Sequence, residues 1–516
     1  MKNKFLNFNK YVSKYIYDSK LIYPLIFVIS LYIPSIFLLS KCNIINENLF
    51  INFMVCILLV INLDLILLNI IKQNYKIEHV FVSLILPIGL SMMLMILPNH
   101  IPDEAAHSYR AYVISEGHLL TKKNEDNTPK MEVPKQLLKS LEQINTYKDL
   151  SKSLKEQANY NDIVAIGLDG AGASTYFFGG YLFPALAMKI GKIFNINIII
   201  TYYLSRLFNF LISVIIIYFA IKYIPMGKFV ILIYCLNPMF IQQSASLSAD
   251  VMINSLALLL VSYSLYKLKK DKIIKNIDIY ILSILSILIS LMKYAYFPLV
   301  FIIILLINKK NDKKINIKLV CIVILSVLIA LGMYFFTSKY FTLRFSYIIE
   351  NGIDAGRQLA FIIHNPFKYI KILLHTTINK SDFYFFTLFG RNLGSFSIFI
   401  NEMMPIIFFT ILLFSIYVEK NKYELTLKEI LLIIIIFLGV YFIIETGLYL
   451  GWTSPGADII EGIQGRYFIP IVFLIPLCLI RKNNYIYYKK SQLTLIIIVL
   501  LINMYSLLKI VLFFNY

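Results

Sequence analysis

Uninterrupted apolar runs of about 18 residues or more recur along this 516-residue chain, and each is long enough to cross the ~30 Å hydrocarbon core of a bilayer as a helix. A water-soluble core has no room for so many. The composition agrees: 59% of residues are hydrophobic and 15% charged, against ~45–50% and ~25% in ordinary soluble domains. The chain therefore reads as an all-α polytopic membrane protein. Its net charge of +20 would suit a nucleic-acid binder only if the basic residues shared one solvated face. They sit instead in short loops between apolar runs, the distribution that the positive-inside rule produces, so no nucleic-acid partner is expected. Cys42, Cys56, Cys235, Cys321 and Cys478 lie mostly inside apolar runs without CxxC spacing, which argues against a disulfide framework or a zinc ribbon. The first apolar run is long and has no small-residue cleavage site after it, so it is expected to stay as a helix.

Charge sets the threading. A basic N-terminus (Lys2, Lys4, Lys10, Lys14, Lys20) is expected inside, followed by spans near 21–40, 49–71 and 79–98. The long polar stretch after residue 99 then lies outside; its part 129–160 has short helical patterning with charges all round and is expected to be solvated. The apolar segment 176–193 is expected to lie in the outer interface or to re-enter, because a crossing there would put the basic linkers Lys267–Lys275 and Lys309–Lys318 outside. Further spans follow near 197–221, 229–247, 250–266, 319–337, 402–418, 429–448, 467–480 and 492–514, with 278–308 as two short helices meeting at Lys293 on the outer side. The total is about 13 transmembrane helices. This threading, chosen without them, leaves Asp103, Glu104, His107, Asp250, Lys293 and Arg466 on one outer face.

The segment LPNHIPDEAAHSYRAYVISEGHLL (97–120) carries the first constellation. On a helix beginning near Pro102, Asp103, His107 and Arg110 share a face. Proline and acidic residues are also ordinary helix-start chemistry, so spacing alone leaves both readings open. Asp250 closes the Ser-rich turn QQSASLSAD (242–250), where it is expected to cap the following span, a role compatible with orienting a substrate hydroxyl. Arg206 lies within an apolar run, where an unpaired cation costs at least ~2.5 kcal/mol; it is either functional or paired with a buried carboxylate. Lys293 and Arg466 are cations that topology does not require outside. They fit the anionic oxygens of a phosphate, or they snorkel to head groups. In the second outer loop, NPFKYIKILLHTTI (365–378) alternates Phe367, Ile370, Leu373 and Leu374 with Lys368, Lys371 and His375, as an interfacial amphipathic helix does. Trp452 either stacks on a sugar or belongs to an interfacial belt. GLDGAGASTYFFGG (167–180) lacks the GK[ST] ending of a P-loop.

The string PDEAAH, the RAY that follows it, QQSASLSAD, the lysine of LMKYAYFPL (291–299) and GIQGRYFIP (462–470) resemble the signature of an uncharacterised bacterial family of polytopic membrane proteins, catalogued as a domain of unknown function. That family is similar in turn to the GT-C superfamily of glycosyltransferases, and the resemblance covers most of the chain from about residue 79. It implies a two-helix N-terminal addition (1–78) and a GT-C-like domain (79–516) with extracytoplasmic loops at 99–196 and 338–401. It also implies a multi-pass protein of the bacterial cytoplasmic membrane that transfers a sugar, with inversion, from a polyprenyl-phosphate donor to a cell-envelope glycan or protein. On that reading Asp103 or Glu104 is the catalytic base, while His107, Arg110, Arg206, Asp250, Lys293, Gln464 and Arg466 bind substrate. No cofactor is certain, and a divalent metal is left open. The rival expectation is a transporter or flippase of lipid-linked saccharides. Transporters tend to carry polar residues near the bilayer midplane and paired repeats; here no repeat is seen, and Asp64 is the only acidic residue deep in an expected span.

Overall fold

The computed structural model describes residues 76–515 apart from 272, 309–310, 341–345 and 484–488, together with residues 30, 33–38 and 40. The expected span 49–71 with Asp64, most of 21–40, Cys42 and Cys56 lie outside the described residues. The protein is mostly helical, at 73%. After α1 (Ile77–Met95) the chain turns through residues 96–103 into α2 (Glu104–Ser115), then through α3 (Lys135–Gln143) and α4 (Tyr147–Lys155) to α5 (Leu182–Ile193). The bundle continues with α6 (Ile198–Tyr223), the short α7 (Lys228–Cys235) and α8 (Pro238–Ser244), α9 (Asp250–Lys269) and α10 (Asn276–Met292). A 3-10 helix, Tyr294–Leu306, leads to α11 (Lys313–Tyr340), α12 (Pro366–Leu388), α13 (Leu427–Trp452) and α14 (Lys489–Asn515).

Six of these helices, α1, α6, α9, α11, α13 and α14, are long and apolar enough to cross a membrane. Central α9 is the most enclosed, with 83% of its apolar window buried, whereas α11 and α13 bury 22% each and present their sides outward. Small polar residues let α6 and α9 pack closely; Ser213 and Ser255 share a hydrogen bond of 2.9 Å between them. Other expected spans are broken or short. The segment near 229–247 divides into α7 and α8 because Pro238 lacks the N–H that a continuous helix needs, and Asn237 caps the new start by accepting from the Met239 N–H at 3.0 Å. The segment near 467–480 is likewise divided, by Pro470 and Pro476, into Gly465–Phe468, Ile469–Val472 and Leu474–Leu479. The two short helices expected in 278–308 are present, and Lys293 is the residue between them.

A folded layer covers one end of the bundle. The expectation that 129–160 carries charge all round is overturned. Leu137 and Leu141 on α3, and Tyr147 and Leu150 on α4, are buried, and each helix keeps its lysines on the other face. Thr146 and Asp149 form a capping box at the start of α4, and the Tyr147 hydroxyl donates to the Met95 carbonyl at 3.0 Å, tying the layer to the end of α1. Within the segment 176–193, α5 has 12 residues, about 18 Å of helix, which is shorter than the hydrocarbon core. It lies along α6, so closely at Gly191 that a Cβ there would fall 2.1 Å from the Thr201 Oγ1.

On α12, Phe367, Ile370, Leu374 and Ile378 are exposed while Tyr369, Ile372, Leu373 and Thr376 are buried. The apolar strip of the expected amphipathic helix therefore faces outward, with Leu373 the exception.

Candidate functional site

Four separate chain segments bring charged groups together at the layered end of the bundle. The chain leaving α1 must reverse sharply, and both Asn99 (φ 65°) and Asp103 (φ 63°) adopt the left-handed conformation to do so. Asparagine and aspartate tolerate that region better than other residues with a Cβ. Asp103 is the N-cap of α2, yet its carboxylate makes no capping bond. It is turned instead to Arg466, which donates to it from Nη2. The Asp103 side chain is 62% exposed and that of Arg466 only 1%.

Arg466 is fixed from several directions. Its Nε donates to the Gln464 Oε1 at 2.6 Å and its Nη1 to the Pro102 carbonyl at 3.4 Å, while the Asp250 carboxylate stands 3.8 Å from Nη1. The preceding Gly465 permits this placement. A Cβ there would meet the Tyr384 carbonyl at 2.3 Å and the Leu388 nitrogen at 2.4 Å, both in the backbone of α12. Lys293 donates to the Asp250 Oδ1 at 2.5 Å, and its ammonium lies 5.5 Å from the ring centroids of both Tyr176 and Tyr467. Asp250 is the first residue of α9; the N-cap is Ala249, so the expectation of a capping aspartate is overturned, and the carboxylate faces two cations instead.

His107 forms the floor. Its Nδ1 is 2.6 Å from the Tyr181 hydroxyl, its Nε2 3.3 Å from the Ser248 Oγ, and its ring stacks on Tyr176 at 5.6 Å. Burial pushes this imidazole down to about 4, so it is neutral at neutral pH. For Asp103, desolvation acts to raise the carboxyl pKa, but Arg466 together with His107 outweighs it and holds the group below its ordinary value. Asp103 is thus an ionised carboxylate, open to the outside and oriented by a buried guanidinium.

The other expected site residues are elsewhere. Glu104 has no exposed surface. Its Oε1 accepts from the Arg206 Nε at 2.8 Å and the Leu247 N–H at 3.2 Å, and its Oε2 accepts from the Arg206 Nη2 at 2.6 Å. Arg206 spends its remaining donors on the Met93, Ile96 and Leu97 carbonyls at 2.8, 2.6 and 3.1 Å, closing the C-terminal end of α1. Of the two readings left open for Arg206, the buried pair is the one seen. Arg110, placed by helical spacing on the Asp103 face, is held away from it. It donates to the Leu119 carbonyl at 2.6 Å, the Thr121 hydroxyl at 3.0 Å and the Tyr176 carbonyl at 3.2 Å, staking down the loops around the site. Trp452 stacks on Tyr347 at 4.8 Å, which covers one of its faces. Among the described residues no group of three or more His, Cys, Asp or Glu side chains is arranged to hold a metal ion.

Sequence reasoning passed over Tyr176, Tyr181, Tyr467 and Ser248, which line the cluster, and Glu445. The last falls near the end of the expected span 429–448, but α13 continues to Trp452 and makes it internal and fully buried. Its Oε1 accepts from the Thr377 hydroxyl at 3.4 Å, and its Oε2 has no hydrogen-bond partner among the described residues. A lone carboxylate in IIETGLYLG was the available signal.

A family model described as a predicted membrane protein, DUF2142, matches residues 86–475, a segment that contains every member of the cluster. No curated protein and no solved structure matches the chain.

Proposed function

The chain belongs to the DUF2142 family of predicted membrane proteins, and we propose that it is a GT-C-type glycosyltransferase of the bacterial cytoplasmic membrane, working on the extracytoplasmic face at Asp103. The observation that carries this reading is one exposed, ionised carboxylate, Asp103, held by the buried Arg466 beside a second ion pair, Lys293 with Asp250, at a bundle end. An acceptor hydroxyl approaching Asp103 gives up its proton to the carboxylate as its oxygen bonds to the anomeric carbon of a polyprenyl-phosphate sugar. The bond from that carbon to the phosphate oxygen breaks, and polyprenyl phosphate leaves with its electron pair. Attack from the opposite face inverts the anomeric centre.

The two cations have different parts in this scheme. Arg466 gives three of its five N–H donors to Asp103, Gln464 and Pro102, so it orients the base and keeps it ionised. Lys293 uses one of its three donors on Asp250 and has capacity left for a leaving phosphate. His107, neutral and hydrogen-bonded on both nitrogens, supports the wall that Tyr176 presents. Glu104, Arg206 and Arg110 build the frame. The finer topology of about 13 spans, with the N-terminus inside and the loops 99–196 and 338–401 outside, belongs to the same proposal. Lipid surrounds the bundle, and the acceptor is a cell-envelope glycan or protein.

The test is a donor panel. Purified protein in lipid is given several polyprenyl-phosphate sugars with cell-envelope acceptors, and release of polyprenyl phosphate is followed together with the anomeric configuration of the product. Release coupled to an inverted product supports the reading. Movement of intact lipid-linked sugar across the bilayer, with no release, would favour the transporter.

A further inference from the structure

The opposite end of the same bundle carries an unassigned pocket. It has a volume of about 480 Å³ and is lined by Lys76, Ile77, Glu78, Lys222, Tyr223, Lys228, Tyr266 and Lys270. That is within the range of small-ligand sites, ~300–1,000 Å³. Four helices meet there: the start of α1, the ends of α6 and α9, and the start of α7. On α9, Asp250 stands at one end and Lys270 just beyond the other. The helix has 20 residues, about 30 Å, so the pocket lies a full hydrocarbon thickness from the charged cluster.

The charge in this pocket is not balanced. Its carboxylate, Glu78, is buried and pairs with Lys228 at 3.5 Å, and Lys228 also donates to the Lys222 carbonyl at 3.0 Å. Lys76, Lys222 and Lys270 are exposed and have no ion-pair partner among the described residues. The positive-inside rule accounts for lysines in loops, but it does not require three unneutralised ammonium groups around one cavity. Two of them are held in place by rings: Lys222 lies 5.5 Å from the Phe219 centroid and Lys270 5.7 Å from that of Tyr266. The floor is aromatic too, with Tyr223 and Tyr266 meeting edge-on at 5.5 Å. In addition, α1 begins at the pocket without a side-chain cap, leaving first-turn N–H groups there.

We propose that this pocket binds the phosphoryl headgroup of an anionic membrane lipid in the leaflet opposite the charged cluster. The ligand chemistry is a phosphodiester or phosphomonoester: Lys76, Lys222 and Lys270 receive its oxygens, the tyrosines flank the glycerol, and Ile77 faces the start of the acyl chains. A lipid suits the position because the pocket opens at the depth where α1, α6 and α9 leave the hydrocarbon. Nothing in this assignment rests on glycosyl transfer.

The experiment uses the full-length protein in neutral detergent and two short-chain probes, dioctanoyl phosphatidylglycerol and dioctanoyl phosphatidylcholine, with inorganic phosphate as competitor. Phosphatidylglycerol is expected to bind saturably and phosphatidylcholine not. The triple variant Lys76→Ala, Lys222→Ala, Lys270→Ala should weaken binding about 10²-fold, and the triple Lys→Arg variant should restore most of it. Should the triple alanine variant not fold, the single Lys270→Glu change at an exposed side chain is read in the same way, with a clear loss expected. Unchanged binding in the folded alanine or glutamate variant, or equal binding of both lipids, overturns the proposal. So does inorganic phosphate binding as tightly as the lipid, which would make this a free-phosphate site.

Discussion

Asp103 and Glu104 are neighbours in sequence, each paired with an arginine, yet they inhabit different regions of the molecule. Glu104 and Arg206 are both 0% exposed and saturated with hydrogen bonds to backbone and to each other. Asp103 is 62% exposed, in a left-handed turn, with its arginine buried behind it. Only the second pair leaves a charged atom within reach of a substrate. A carboxylate next to an arginine carries no functional meaning until its exposure is known. A sealed pair holds α1, α2 and α6 in register, and an open one is available for chemistry.

Breaking the sealed pair should have the largest effect. Glu104→Gln leaves Arg206 charged and uncompensated in a closed site, where removing one partner of a buried pair costs about 3–5 kcal/mol. The expected outcome is loss of folded protein after detergent extraction, read by size-exclusion chromatography and thermal unfolding. Glu104→Gln protein that is stable and merely inactive would move Glu104 into the machinery.

Asp103→Asn changes the open pair without disturbing the backbone, because asparagine also accepts the left-handed conformation. Unfolding should shift by about 1 kcal/mol or less, since Arg466 retains Asp250 nearby. Transfer should fall by about 10²-fold or more, the effect of losing a general base.

Arg466→Lys is expected to cost about tenfold in rate at nearly unchanged donor affinity. Lysine keeps the charge but cannot engage Asp103, Gln464 and the Pro102 carbonyl at once. A KM effect with unchanged kcat would instead assign Arg466 to the donor phosphate.

The smallest effect is in pH. His107 takes up a proton near 6.5 when unfolded but only near 4 when folded. Between those values the unfolded state binds more protons, so stability should fall as pH drops through that window and be constant above it. His107→Gln should flatten the fall. The rate should show no inflection near 6.5, because the folded imidazole does not titrate there and Asp103 stays ionised below the ordinary carboxylate range. A rate profile that bends at 6.5 would mean that His107 is exposed and protonated.

Much of the site's outline was legible in the sequence. Charged residues in apolar surroundings are costly, so Arg206, Lys293 and Arg466 stood out, and the charge-based threading brought Asp103, Asp250, Lys293 and Arg466 to one end. Burial was not legible. Arg110 sits at the right helical spacing from Asp103, but the loops at 118–121 and 176 fold back over it and take up the donors of its Nη1 and Nη2. The roles of Asp103 and Glu104 could not be separated either, since the left-handed turn that points them apart joins two helices that pack on different partners, α1 on α6 and α2 on α5. The amphipathic character of α3 and α4 was masked by a high lysine content. The tyrosines around Lys293 gave no signal in a chain with 37 of them.

Whether the exposed carboxylate at position 103 performs chemistry is decided by single-turnover transfer in the wild-type protein beside Asp103→Asn. Both proteins, in equal folded amounts and saturated with a polyprenyl-phosphate sugar that the wild type consumes, are mixed with acceptor, and polyprenyl phosphate release is timed. Donor should be bound equally by both, and release should be at least about 10²-fold slower in the variant. Release at the wild-type rate from Asp103→Asn, with donor binding intact, would contradict a chemical role for this carboxylate.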